Sequence, residues 1–233
     1  MPDPALRVRL DGVRDRIAHA ARRAGRDPAS VRLVAVSKTF PPELIREAAA
    51  CGQIDFGENK VQEALAKQAA LADLPVRWHL VGHLQSNKAR KAVNFHAIHA
   101  VDSVELVHRL DQSAEAAGCS PEVLLQVDLA NEATKFGAPP EQLPALVDRL
   151  NACKALRLKG LMTLPPAVDE PGHARPYFAR LRELMDELIP TVRSPEAFHD
   201  LSMGMSHDFE VAIEEGATIV RVGSAIFGIR QTL

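Results

Sequence analysis

The chain has 233 residues, 46% of them apolar and 25% charged, with a formal net charge of −2. This balance provides ample material for one large core and gives no bulk electrostatic reason to bind nucleic acid or an acidic membrane surface. Cys51, Cys119 and Cys153 form no CxxC or Cys/His metal spacing, and no apolar run approaches the ~18 residues of a membrane span. The expectation is a cytoplasmic monomer with reduced thiols, no metal, and no nucleic-acid or membrane partner.

An amphipathic segment over 5–24 precedes the first β-like run and reads as an added N-terminal helix. Strands are then predicted over 32–38 (RLVAVSK), 54–56, 78–82 (WHLVG), 97–101 (AIHAV), 123–129 (VLLQVDL), 158–163, 198–203 and 218–222. Helical patterns over 42–50, 104–117, 141–153, 177–188 and 207–215 lie between them. Gly52, Gly118 and Gly216 each follow a helical run, where a left-handed residue closes a helix at little steric cost. Strict alternation implies parallel strands joined by right-handed crossovers. About eight strands fit a closed (β/α)8 TIM-type barrel better than an open doubly wound sheet, which stays as the structural alternative. No composition break or linker divides the chain, so residues 1–233 read as one domain.

Barrels of this kind carry their chemistry at the carboxyl ends of the strands. Lys38 ends the first strand, and on a period of two it shares a face with Val34 and Val36. If that face points inward, the ammonium stands among apolar walls, where desolvation lowers its pKa and a neutral amine can attack an aldehyde. The alternative is a lysine that reaches solvent from a strand end.

Two strand-to-helix junctions follow near the other end of the chain. Ser206 sits where its hydroxyl can cap the next helix or bind an anion, and Gly223-Ser224 permits close backbone approach. Loops after strands seven and eight are the recurrent phosphate site of this fold, so a phosphate-bearing carbonyl ligand suits the pair better than a plain cap and helix entry. Arg221 shares a face with Ile219 and points into the barrel or toward the helices. Buried there, it needs an interior carboxylate or a ligand nitrogen. Asn59 and His83 fall just past strand ends. His79 and His83 are spaced i,i+4, but on a strand and without the pattern of a zinc helix.

The motifs LVAVSKTFPPELIREA (33–48), DFGENKVQEA (55–64), WHLVGHLQSNKAR (78–90), KFG (135–137), KGLMTLPP (159–166) and LSMGMSHDFEVAIEEGATIVRVGSAIFG (201–228) cover nearly the whole chain. In number, order and spacing they resemble the YggS/PROSC family of pyridoxal 5′-phosphate (PLP) homeostasis proteins. That family looks like the barrel domain of alanine racemase standing alone, PLP fold type III. The resemblance implies a Schiff base between PLP and Lys38, a phosphate site at Ser206 with the amides of Gly223 and Ser224, and Arg221 facing the pyridine nitrogen. Asn59 and His83 belong to motifs that line the pocket, and Ser202 lies one strand alternation from its rim. Lys135 stands beyond the fifth strand, either a solvated loop lysine or a transient contact for arriving and departing PLP.

An arginine beside the pyridine nitrogen keeps it unprotonated, which weakens the ring as an electron sink. Alanine racemase adds a second base from an extra β-domain and a partner subunit. Here 233 residues leave no room for that domain, and the only tyrosine, Tyr177, falls in a predicted helix. The resemblance therefore implies PLP supply with no catalytic residue, and apo-PLP enzymes as recipients. The alternatives are a weak PLP racemase or Schiff-base aldolase, and an interaction protein that carries PLP only as a stabilising ligand.

Overall fold

Eight short runs rich in β-branched and aliphatic residues pair edge to edge until the last meets the first. The computed structural model describes residues 3–130 and 136–228. Its strands are β1 (Arg32–Val36), β2 (Asp55–Glu58), β3 (Arg77–Leu80), β4 (Ala97–Val101), β5 (Glu122–Val127), β6 (Arg157–Thr163), β7 (Asp200–Ser202) and β8 (Ile219–Val222). They close in sequence order into a barrel in which every neighbouring pair is parallel. The open-sheet alternative is thereby excluded.

The helices are α1 (Pro4–Arg23), α2 (Pro42–Ala50), α3 (Val61–Ala70), α4 (Ala89–Ala92), α5 (Val104–Ala117), α6 (Leu143–Asn151), α7 (Arg175–Leu188), α8 (Phe209–Glu214) and α9 (Ser224–Phe227). The added helix α1 is capped by the Asp3 carboxylate, which accepts from the Ala5 amide at 2.9 Å. Its apolar stripe of Leu6, Leu10, Val13 and Ile17 is buried, and α1 packs across α8 and α9. Helix α5 starts on the Ser103 hydroxyl and stops at Gly118, whose φ of 64° is the left-handed conformation expected of a helix-closing glycine.

Most boundaries fall within two or three residues of expectation. β1 stops at Val36 rather than 38, because Thr39 takes a left-handed φ of 70° and turns the chain away. β7 shrinks to three residues, since a 3-10 turn at Pro195–Ala197 leads into it and Gly204 turns out of it with φ 90°. Helix α8 begins at 209 instead of 207 because residues 205–208 form a turn closed by the Met205 carbonyl.

Two cores result. The larger lies between strands and helices; a small one inside the barrel contains Val34, Val36, Val81, Leu124, Met162 and Ile219. The barrel interior also holds a polar group: Asp55, His79, His99 and Ser202 are all buried. No helix among the described residues is long and apolar enough to cross a membrane.

Candidate functional site

At the carboxyl ends of the strands a cavity of about 710 Å³ opens, walled on its apolar side by Val36, Phe40, Val81, Leu164 and Met205. Its polar lining includes Lys38, Asn59, Ser206, Arg221, Gly223 and Ser224. Six of the eight sequence-assigned residues therefore converge on one space.

Lys38 continues the inward parity of Val34 and Val36, although it stands in the turn beyond β1. A left-handed β-branched residue such as Thr39 costs about 1–3 kcal/mol, so the neighbouring structure must hold it. It does so through a buried ion cluster behind the strand. Lys67 Nζ reaches Glu58 Oε1 at 2.6 Å, Glu63 Oε1 at 2.7 Å and the Ser37 carbonyl at 2.8 Å. Glu63 Oε1 accepts the Thr39 amide at 2.5 Å, and the Ser37 hydroxyl donates to Glu58 Oε1 at 2.7 Å. The backbone on both sides of Lys38 is thus fixed. Burial pushes the Glu58 carboxyl up against the opposing pull of Lys67 and Ser37. Burial also pushes Glu63 up, but its bonds to Lys67 and the Thr39 amide outweigh this and hold it below the ordinary value.

In the same cavity, Ser206 Oγ accepts from the Gly223 amide at 3.3 Å and the Ala225 amide at 3.4 Å. It does not cap α8: Asp208 holds the N-cap position, and its carboxylate accepts from the Met205 amide at 2.6 Å. The turn over 205–208 carries the serine past the helix start and sets it against the β8 loop. A side chain at 223 would bring a Cβ to 3.1 Å from the Val36 carbonyl oxygen, so glycine lets the loop lie close to β1. Asn59 is fixed by a tighter approach, since a Cβ at Gly82 would stand 2.4 Å from its carbonyl oxygen.

Arg221 forms the cavity floor and is almost wholly buried. It donates to Ser202 Oγ at 2.6 Å and to the Thr163 carbonyl at 2.9 Å; of the two partners considered from sequence, an interior carboxylate and a ligand nitrogen, the carboxylate is not among these bonds. Burial lowers its pKa to about 10, with a partial offset from the charge of Asp208, so it stays cationic at neutral pH. Ser202 lies beneath it, outside the cavity lining, and supports the arginine. His83 also leaves the group: its ring stacks on Phe136 at 3.6 Å, and its Nδ1 lies 3.6 Å from Asp102. Lys135 lies outside the described residues.

Sequence reasoning missed two features. His207 lines the cavity near Ser206, its Nε2 at 3.1 Å from the Asp169 carbonyl; the only signal was its place beside Ser206 in the sequence. The second is the buried imidazole pair below Arg221, where His79 Nδ1 lies 3.0 Å from His99 Nε2. Its signal was the inward parity of His79 with Val81 on WHLVG, which places an imidazole where such barrels ordinarily hold Val, Ile or Leu. Among the described residues no group of three or more potential ligands could hold a metal.

An amine, a hydroxyl beside backbone amides, and a guanidinium face one half-apolar space. This donor set suits a small planar ligand bearing a carbonyl, an anionic group and a ring acceptor, with aliphatic walls against its faces. PLP has those three features, so the residues present fit it.

The family model for the alanine racemase N-terminal domain matches residues 8–231. A pyridoxal phosphate homeostasis protein of Pseudomonas aeruginosa is 49% identical over 217 residues, covering 93% of this chain and 92% of the relative. The solved structure of PipY from Synechococcus elongatus, with PLP bound, is 43% identical with a TM-score of 0.83, covering 96% of this chain and all of that one. Alanine racemase from Streptomyces coelicolor aligns at 25% identity and a TM-score of 0.72, covering 97% of this chain but 58% of the racemase. The chain belongs to the family of pyridoxal phosphate homeostasis proteins, built on the barrel of the alanine racemase N-terminal domain.

Proposed function

We propose that this chain binds PLP in the cavity at the carboxyl ends of its strands and acts in cytoplasmic PLP homeostasis, as a carrier that delivers the cofactor to apo-enzymes rather than as an enzyme. The carrying observation is that Lys38, the Ser206–Gly223 loops and Arg221 converge around one cavity of about 710 Å³. When bound, PLP supplies an aldehyde carbon open to an amine and a ring able to accept electrons. Lys38 supplies the amine. Ser206 with the Gly223 and Ser224 amides would hold the phosphate, and Val36, Val81 and Leu164 would exclude water from the ring. Arg221, cationic with a pKa of about 10, would hold the ring nitrogen and disfavour a proton on it, which would limit the ring's use for carbanion chemistry.

One observation favours a second reading, slow racemase-like turnover. His207 lines the same cavity as Lys38 and offers an imidazole as a second proton carrier there. A paired assay separates the two: turnover across the amino acids, and transfer of PLP from the loaded protein to an apo-PLP enzyme. The carrier reading expects transfer, with turnover orders of magnitude below the roughly 1–1,000 per second of typical enzymes. Fast, Lys38-dependent turnover that falls in His207→Asn, without transfer, would replace it.

A further inference from the structure

A hydrogen-bonded line runs down the inside of the barrel beneath Arg221. Ser202 Oγ lies 2.8 Å from His99 Nδ1, His99 Nε2 lies 3.0 Å from His79 Nδ1, and His79 Nε2 lies 2.9 Å from Asp55 Oδ1. Asp55 is gripped from the amino-terminal mouth by Arg77, whose Nε and Nη2 each donate at 2.7 Å. Every side chain from Asp55 to Arg221 in this line is buried.

The charges at the two ends fix the proton on every intervening atom. Arg221 can only donate, so Ser202 Oγ accepts from it and its single O–H goes to His99 Nδ1. His99 must then carry its proton on Nε2 and give it to His79 Nδ1. His79 in turn carries its proton on Nε2 and gives it to the Asp55 carboxylate. Both imidazoles are neutral in this arrangement, as their burial requires. The reverse order would need a protonated Asp55, against the two bonds from Arg77.

Two imidazoles in place of Val, Ile or Leu give up apolar burial in the barrel centre. What they provide is a one-way link from a carboxylate to an arginine that, among the described residues, has no carboxylate within hydrogen-bond distance. We propose that Asp55, His79 and His99 are positioning residues for Arg221: they hold Ser202 Oγ as a fixed acceptor and so keep the guanidinium aimed at the ring nitrogen of bound PLP. This rests on the placement of PLP proposed above.

The test compares PLP with its isostere bearing CH in place of the ring nitrogen, titrated against the full chain, His99→Phe and Ser202→Ala. The wild type should prefer PLP by about tenfold or more, the scale of one hydrogen bond to a charged group. Both variants should lose affinity for PLP alone and bring the preference within about threefold, since the isostere never used the arginine bond. A packing role would weaken both ligands equally and leave the ratio intact, and that result overturns the proposal. Imidazole 15N NMR of the ligand-free wild type is the second arm, valid even if His99→Phe fails to fold. Both His79 and His99 should be neutral with the proton on Nε2, and a proton on either Nδ1 overturns the relay. Failure of the wild type to bind PLP would instead remove the underlying placement.

Discussion

Ser206→Ala removes one oxygen from a site where two loops meet. The hydroxyl joins the amides of Gly223 and Ala225, so its loss frees those amides and, on the proposed placement of PLP, deletes a donor for the phosphate. Losing one hydrogen bond to a charged group costs about 1–3 kcal/mol, so PLP should bind roughly 10- to 100-fold more weakly. Pyridoxal, which lacks the phosphate, should bind the variant and the wild type alike. A fluorescence titration with both ligands checks this, and equal losses would place the phosphate elsewhere. At this scale the sequence was informative where chemistry sits at a strand end: Lys38, Asn59, Ser206, Arg221, Gly223 and Ser224 all reach the cavity. It was silent where partners come from distant strands. Nothing local to Ser202 says that Arg221 and His99 meet on its hydroxyl, and nothing local to His83 says that Phe136 takes its ring.

The β1–α2 turn that presents Lys38 depends on α3. Lys67 on that helix neutralises Glu58, holds the Ser37 carbonyl and positions Glu63 against the Thr39 amide. Lys67→Met should therefore leave Glu58 uncompensated in the interior and destabilise the fold by about 3–5 kcal/mol, the scale of a broken buried pair. Adding Glu58→Gln should recover part of that loss, and denaturant unfolding of the wild type, the single variant and the double variant measures both steps. An unchanged midpoint in Lys67→Met would show that the cluster does not hold the turn. α2 and α5 fall where periodicity and glycine stops place them, at 42–50 and 104–117. The left-handed Thr39 and the buried Glu58–Lys67 pair escaped prediction, because tertiary contact rather than local propensity sustains them.

Across the whole barrel, the polar interior makes stability depend on pH in two stages. Burial lowers the pKa of His79 and of His99, so the unfolded chain takes up protons that the folded one refuses. Their contribution is complete above the ordinary imidazole value of 6.5 and is lost as pH falls below it. Burial pushes Asp55 up, but the bonds from His79 and Arg77 outweigh it and hold the carboxyl at about 2 against an ordinary 3.8. Its contribution, about 2 kcal/mol, is present above 3.8 and disappears as pH falls toward 2. Thermal melts should decline from about pH 6.5 and again below about pH 4, and His99→Phe should flatten the first limb. A variant with the wild-type slope between pH 6.5 and 4.5 would contradict the neutral, buried state assigned to His99. Alternation gives the parallel strands and their number favours a closed barrel over an open sheet, whereas the polar interior needs the register of four strands to become visible.

The central claim is that PLP is held at Lys38 in this cavity, and borohydride reduction of the PLP-loaded protein followed by peptide mapping tests it most directly. The visible absorption band should vanish on reduction, and a phosphopyridoxyl group should appear on the peptide containing Lys38. Lys38→Ala should lose both signals while keeping a cooperative melt, because a side chain in the turn beyond β1 adds little to the core. PLP should raise the melting temperature of the wild type by mass action and leave that of the variant nearly unchanged. A label confined to another lysine, or an unaltered band in Lys38→Ala, would contradict the account.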